Sequence, residues 1–453
     1  MTTGKRTTRP TSGQSKDLHQ KLIDVEHLLR RASFGATPEE TLAAARRGRE
    51  ATALGLIAYD QVPETAPAPP ASVNDPKSRN PAELAAWWLA RMIATQRPLQ
   101  EKLTLFWHGH FATAISKVGQ PSFMLAQNEM LRANALGRFD DLLSAVYKDP
   151  AMLIWLDGQR NVKGAPNENW GREVMELFTL GTGNYTEDDV HACAAAFTGW
   201  RIGVDGRAVF VPRLHDDGPK TLLGQTGNWS SDDAVRILAA HPATGRFLAT
   251  KLWKFFASDS PPKSALDRLA QAYYDNDHSI HAVITNLFTM PEFYAMPVRT
   301  GHVKSPVEFI VGAVRQLQLQ QVDTRTFPLY LSLLGQELFN PPNVGGWPGG
   351  TTWISAATML NRFNFASHLT GDAPGSISLV DGNAIAQASG ADTMQQVMSY
   401  VVNALGLQLS PPTAAALMSY LGKGSVLNSN IDADVKVRGL VHLALASPEY
   451  QLA

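Results

Sequence analysis

Cysteine is almost missing from this chain: Cys193 stands alone among 453 residues. A lone cysteine excludes an internal disulfide framework and fits a reducing compartment. Long apolar runs are missing too. The first eighteen residues, MTTGKRTTRPTSGQSKDL, are basic and Ser/Thr-rich but lack the apolar core of roughly 7 to 15 residues that a secretory signal needs. No later stretch reaches membrane-spanning length. These absences predict a chain without membrane insertion, cytoplasmic as written unless a leader has been removed from a periplasmic or surface protein, with residues 1–18 a disordered tail. The third absence is an excess of charge. Forty basic residues oppose forty-one acidic ones for a formal charge of -1, which argues against nucleic acid and polyanions as partners.

What the chain does have is helix formers. Ala, Leu, Met, Glu and Gln fill the segments between Gly/Pro punctuation, and apolar residues recur at three- and four-residue spacing, so the fold class is all-α. Thr37 and Thr186 open helices as N-caps, each with an acidic partner three residues on, Glu40 and Asp189. Residues 62–80 are too Pro-rich for a helix and read as a surface loop. Residues 201–229 place Gly turns around short β-branched runs, which predicts a β-hairpin or ordered-loop insert. The pattern of an apolar helix stopping before Pro occurs three times, at 142–153, 283–294 and 440–451, and predicts a helix followed by a corner. The organisation expected is a main helical domain over 19–369, a Gly/Ala/Ser-rich linker from 370, and a small helical C-terminal subdomain packed on the main domain.

Four clusters carry side chains suited to chemistry. NENWGREVMELF holds Asn167, Glu168, Trp170, Arg172, Glu173 and Glu176, a dense polar set for a chain that is 18 % charged. On a regular helix ending at Gly181, Arg172 would face Glu168 and Glu176, while Glu173 and Glu176 would lie one turn apart. The apolar neighbours Val174, Met175, Leu177 and Phe178 predict that this acidic face is half-buried, where carboxylates persist only if paired or used. The plain alternative is an ordinary ion pair at a helix start. FWHGHF supplies Trp107, His108 and His110; on a helix the two imidazoles point about 200° apart, so joint metal binding requires a break at Gly109. HDDGPK supplies His215, Asp216 and Lys220 in a turn. FNPPNVGGWPGGTTW fixes a loop carrying Asn340, Trp347 and Trp353.

Five tryptophans, at 107, 170, 200, 347 and 353, lie in or beside these clusters, and flat aromatic faces next to carboxylates and amides suit sugar rings. The blocks HLLRRASFGATPEE, FWHGHFAT, NENWGREVMELFTLGTGNYTEDDV, AFTGWR, HDDGPKTLLGQTGN, KLWKFF and FNPPNVGGWPGGTTW resemble, in order, those of the bacterial "domain of unknown function 1800" family. The resemblance implies an all-helical domain from a bacterial source and, for many relatives, association with exported or surface systems; it implies no activity. Its motifs fall on His108, His110, Asn167, Glu168, Arg172, Glu173, Glu176, His215, Asp216 and Lys220. Here Trp170 replaces the usual Tyr, and Asp217 replaces an aromatic.

The function expected first is a glycosidase-like hydrolase without a cofactor. In it Glu173 or Glu176 supplies one member of the acid and base or nucleophile pair, and Asp216, Asp157 or the other Glu supplies the second, with partners from separate elements favoured over a pair on one helix; His108 assists. Substrate contacts fall to Trp107, His110, Asn167, Glu168, Trp170, Arg172, His215, Lys220 and Trp347. The alternative is one divalent metal ion held by His108, His110, Glu173 and His215. A third expectation is a helical scaffold whose polar motifs only pin helices together.

Overall fold

In the computed structural model, residues 12–75, 80–371, 378–422 and 430–453 are described, with backbone alone at 12–17 and 430–432. They form an all-α protein with two small antiparallel hairpins. Both expected capping boxes are present: the Thr37 and Thr186 hydroxyls each accept the backbone N–H three residues on at 3.2 Å, and Glu40 and Asp189 reach back to the cap N–H at 2.9 Å. Each of the three Pro-stopped segments is a helix, a break and a second turn; Phe139–Tyr147, for example, gives way to Pro150–Trp155. The insert pairs Trp200–Ile202 with Ala208–Phe210 and Lys220–Leu222 with Gln225–Gly227. The second hairpin turns on Leu223 and Gly224, both left-handed, and Asp189 holds the Leu223 N–H at 2.6 Å.

Two boundaries differ from expectation. The helix Ser12–Ala32 takes up residues 12–18 of the expected tail, while residues 1–11 lie outside the described part. The expected linker contains a helix, Gly382–Ser389, and residues 372–377 are not described. No core boundary falls at 370: the hydrophobic core holding Trp88, Phe309 and Phe365 continues through Val401, Val441 and Tyr450. A second core gathers Trp107, Phe139, Phe178 and Trp253, and the two meet at Trp155 and Phe255.

The helix Pro98–His110 lies between these cores. Leu99, Leu103 and Trp107 belong to one and Leu105 to the other, and every residue from Leu99 to His108 is buried. A helix covered on all sides must pair its charged residues internally. Glu101 and Lys102, adjacent in sequence, do so in opposite directions: Glu101 meets Arg91 and Arg132 at 2.7 Å each, and Lys102 meets Glu308.

Candidate functional site

The helix Pro98–His110 runs through Gly109 without a break, so its two histidines point apart. His108 accepts the Phe339 N–H at Nε2 (3.0 Å) and packs beside Trp88, Phe339 and Trp347. Burial alone pushes its pKa down to about 3, which keeps the ring neutral. His108 thereby pins the loop that carries Trp347. Two glycines complete the docking: a Cβ on Gly346, which has φ +78°, would stand 2.1 Å from the Gly109 carbonyl oxygen. Only glycine permits that approach with that backbone.

His110 points the other way, to the end of the opening motif. That motif is an α-helix, Glu168–Glu173, followed by a π-helical turn, Val174–Thr179, in which the Leu180 N–H reaches back five residues to the Met175 carbonyl at 2.7 Å. Such turns are rare and concentrate at functional sites. The chain then leaves through Gly181 at φ +76°, so the last carbonyls need outside donors. His110 Nε2 donates to the Phe178 carbonyl (3.0 Å), and Lys251 Nζ donates to the Leu177 carbonyl (3.1 Å) and to His110 Nδ1 (3.3 Å). Burial, then the charge of Lys251, lowers the His110 pKa well below the usual value, and burial lowers Lys251 to about 8.

Two cavities adjoin here. The first, about 490 Å³, is walled by Trp347 and Trp353, with Lys251, Asp259, His302 and Glu308 among its polar lining. The second, about 590 Å³ and more open, is lined by Glu176, Asn184, Arg246 and Phe247. Lys251 and Gly345 border both. Glu176 receives the Tyr185 hydroxyl at 2.5 Å. Glu173 is half-buried, and its pKa is raised by burial and then by the charge of Glu176.

The remaining expected site residues lie elsewhere. Arg172 does not face Glu168 and Glu176; it forms a two-pronged pair with Glu187 at 3.1 and 2.6 Å, and Glu168 approaches His191. The cause is the close packing of the next helix, Glu187–Ala196: a Cβ on Gly171 would meet the Val190 carbonyl oxygen at 2.6 Å, so that helix brings its own partners. Trp107 and Trp170 offer no platform, since they are 0 % and 2 % exposed; Trp107 donates to the Ala135 carbonyl and Trp170 packs on Phe197. Trp347 and Trp353 remain at the first cavity. Asn167 caps its helix, accepting the Trp170 N–H at 3.2 Å and donating to the Leu156 carbonyl at 2.8 Å.

The segment 215–220 closes on itself. Lys220 donates to the carbonyls of Asp216 (2.5 Å) and Gly218 (2.9 Å), the Asp216 carboxylate accepts the Gly218 N–H, and His215 is held against Thr198. His215, Asp216 and Lys220 line neither cavity, and neither does Asp157, whose carboxylate pairs with Lys117. The clusters holding His110, Glu176 and His215 therefore do not meet in either cavity. His108, His110, Glu173 and His215 do not assemble either: both His110 nitrogens and His108 Nε2 are engaged within the protein, and among the described residues no group of three or more His, Cys, Asp or Glu side chains is placed to hold a metal ion.

Sequence reasoning passed over Lys251, His302, Glu308, Asp259 and Lys102. The available signal was charge inside otherwise apolar helical segments, as in EKLTLFW and LATKLWKFF.

Comparison with known proteins adds the family. The family model described as "Protein of unknown function (DUF1800)" matches residues 27–452. No curated protein and no solved structure matches.

Proposed function

Since this chain belongs to the DUF1800 family, whose description carries no activity, we propose its function from the site: a hydrolase acting on a carbohydrate bound along the two adjoining cavities. The observation that carries this reading is their arrangement. Trp347 and Trp353 wall one cavity, Glu176 borders the other, and Lys251 and Gly345 border both. A row of sugars needs an aromatic surface for ring stacking and a pair of carboxyl groups held in unlike environments for acid and base work. Glu173 and Glu176 form such a pair, because burial and its neighbour's charge favour the protonated form of Glu173 while Glu176 accepts the Tyr185 hydroxyl. Glu176, which lines the second cavity, is the base or nucleophile in this scheme, and Glu173, beside it but in the lining of neither cavity, is the proton donor. His108 and His110 act as positioning residues, one for the Trp347 loop and one for the carbonyl end of the Glu176 turn. No cofactor is required by this chemistry.

The test is release of new reducing ends from a panel of oligosaccharides by the full chain and by Glu173→Gln and Glu176→Gln, which keep shape and remove only the ionisable group. Turnover by at least one variant should fall by about 100-fold or more. Full turnover in both would end the carboxylate mechanism.

A further inference from the structure

Lys251 differs from the buried cations of this chain that sit in ion pairs. Lys102 pairs with Glu308, Arg132 with Glu101 and Arg299 with Asp24. Lys251 enters no ion pair with a carboxylate among the described residues; its partners are the Leu177 carbonyl, His110 Nδ1 and the face of Phe247, 5.0 Å away. An ammonium group has three N–H donors, so two acceptors leave one for a ligand. The position fits that use, because Lys251 borders both cavities. Lys254, one turn further along the helix Pro242–Phe256, is exposed at the first cavity and is likewise in no described ion pair.

The floor of the first cavity adds a second observation. His302, Ser305 and Glu308 line it, and Glu308 is a single carboxylate among many bases. Lys102 and His302 contact it directly, and Arg31 and Arg362 lie close enough behind to interact with its charge. Neither guanidinium forms an ion pair with a carboxylate among the described residues. Arg31 donates to the Val298 carbonyl and leaves Nε and Nη1 without a protein partner; Arg362 donates to Gln451 and to the Lys304 carbonyl and leaves Nε unmatched. Three carboxylates line the ligand space, Asp259 and Glu308 in the first cavity and Glu176 in the second; each lines only one of the two cavities, whereas Lys251 borders both. A net charge near zero is compatible with positive charge concentrated behind one cavity with low-dielectric walls.

Resting on the carbohydrate reading above, we propose that the substrate of this site is an acidic saccharide, one whose ring carries a carboxylate or sulfate group, and that Lys251, assisted by Lys254, receives that group. The half-buried ammonium forms a charge-assisted hydrogen bond to the anion, which sets the acidic sugar at the junction of the two cavities and selects it over its neutral counterpart.

The experiment is calorimetric titration of the full chain, and of Lys251→Met, Lys251→Arg and Lys254→Gln, with a panel of oligouronides and sulfated oligosaccharides. Each is paired with its carboxyl-reduced or desulfated counterpart of the same linkage. An acidic oligomer should bind at least about tenfold more tightly than its neutral counterpart, Lys251→Met should lose about the same factor, Lys251→Arg should recover part of it, and Lys254→Gln should lose less. Melting curves confirm that each variant is folded. Equal affinity for the neutral counterpart, or an unchanged affinity in Lys251→Met, overturns the acidic-substrate inference and leaves the carbohydrate reading standing. If no saccharide binds, inorganic sulfate is tested for protection of Lys251 from an amine-reactive ester, read by mass spectrometry. Protection supports the anion site and defeats the carbohydrate reading; absence of protection defeats both.

Discussion

Glu101 and Glu308 are the two buried carboxylates through which the helix Pro98–His110 is tied to its surroundings, and they are built differently. Glu101 is closed: Arg132 takes both oxygens at 2.7 and 3.0 Å, Arg91 adds a contact at 2.7 Å and the Trp88 indole N–H another at 2.8 Å. Two guanidinium groups and one indole surround it, and it lines neither cavity. Glu308 is open on one side. It receives Lys102, His302 and the Ser305 N–H, and it also forms part of a cavity floor with further bases behind it. Both acids are held below the usual carboxylate range against the opposing effect of burial, Glu101 by its arginines and Glu308 chiefly by Lys102 and His302. The difference teaches that a buried ion pair alone does not mark a site; what distinguishes Glu308 is the cavity beside it and the uneven count of charges around it.

The comparison breaks most visibly on removal of each acid. Glu101→Ala leaves Arg91 and Arg132 without their shared carboxylate and should cost about 3–5 kcal/mol in urea unfolding. Glu308→Gln keeps the helix cap and the shape, and solvent in the cavity can approach the freed cations, so a smaller loss of about 2–3 kcal/mol is expected. Equal losses would remove the distinction between a closed and an open centre.

A third acid sharpens it. Asp149 is buried with no cation beside it among the described residues and accepts neutral donors, Gln127 Nε2 (2.7 Å) and the backbone N–H groups of Met152 (2.8 Å) and Ala151, and burial raises its pKa to about 7. The folded state therefore keeps a proton that the unfolded chain has released between about pH 4 and 7, and this contribution to stability falls as pH rises through that window. Asp149→Asn should gain stability over the wild type progressively from pH 4 to 7, measured by melting temperature; parallel pH profiles would show that Asp149 is already ionised. The smallest effect belongs to Lys251, whose pKa of about 8 lies below the usual 10.5. Between those values the folded state has lost a proton that the unfolded chain retains, so the wild type should become steadily more stable relative to Lys251→Met from pH 8 to 10.5. A flat difference across that range would place Lys251 in a solvated setting.

Much of the fold was legible in the sequence because it rests on local rules. The all-α class, both capping boxes, the Pro-stopped helices and the hairpin insert follow from periodicity, caps and turn residues that act over a few positions. The phase of the two histidines followed from helix geometry as well. The site was legible only in part. Glu176 and Trp347 border the cavities and Glu173 stands beside Glu176, but Arg172, His215, Asp216 and Lys220 found partners that spacing does not reveal: a neighbouring helix supplied Glu187, and the turn's own carbonyls took up Lys220. The π-helical turn was not foreseen, since nothing in VMELFT departs from ordinary helix propensity and the outside donors that support it, His110 and Lys251, are 68 and 74 residues from the carbonyls they cap. Lys102 and Glu308 lie 206 residues apart, a pairing that local spacing does not reveal.

The contact between Gly109 and Gly346 has a consequence for how this cleft can change. Main chain rests on main chain there, with no side chain between to be trimmed or enlarged, so the loop comes down against a hard stop. A methyl group at Gly346 would have to displace the Gly109 carbonyl while keeping a backbone angle that other residues resist. The clearance under the loop is thus set by the backbone, and evolution or design can tune the width of the first cavity only through the side chains that hang into it, Trp347 and Trp353 foremost.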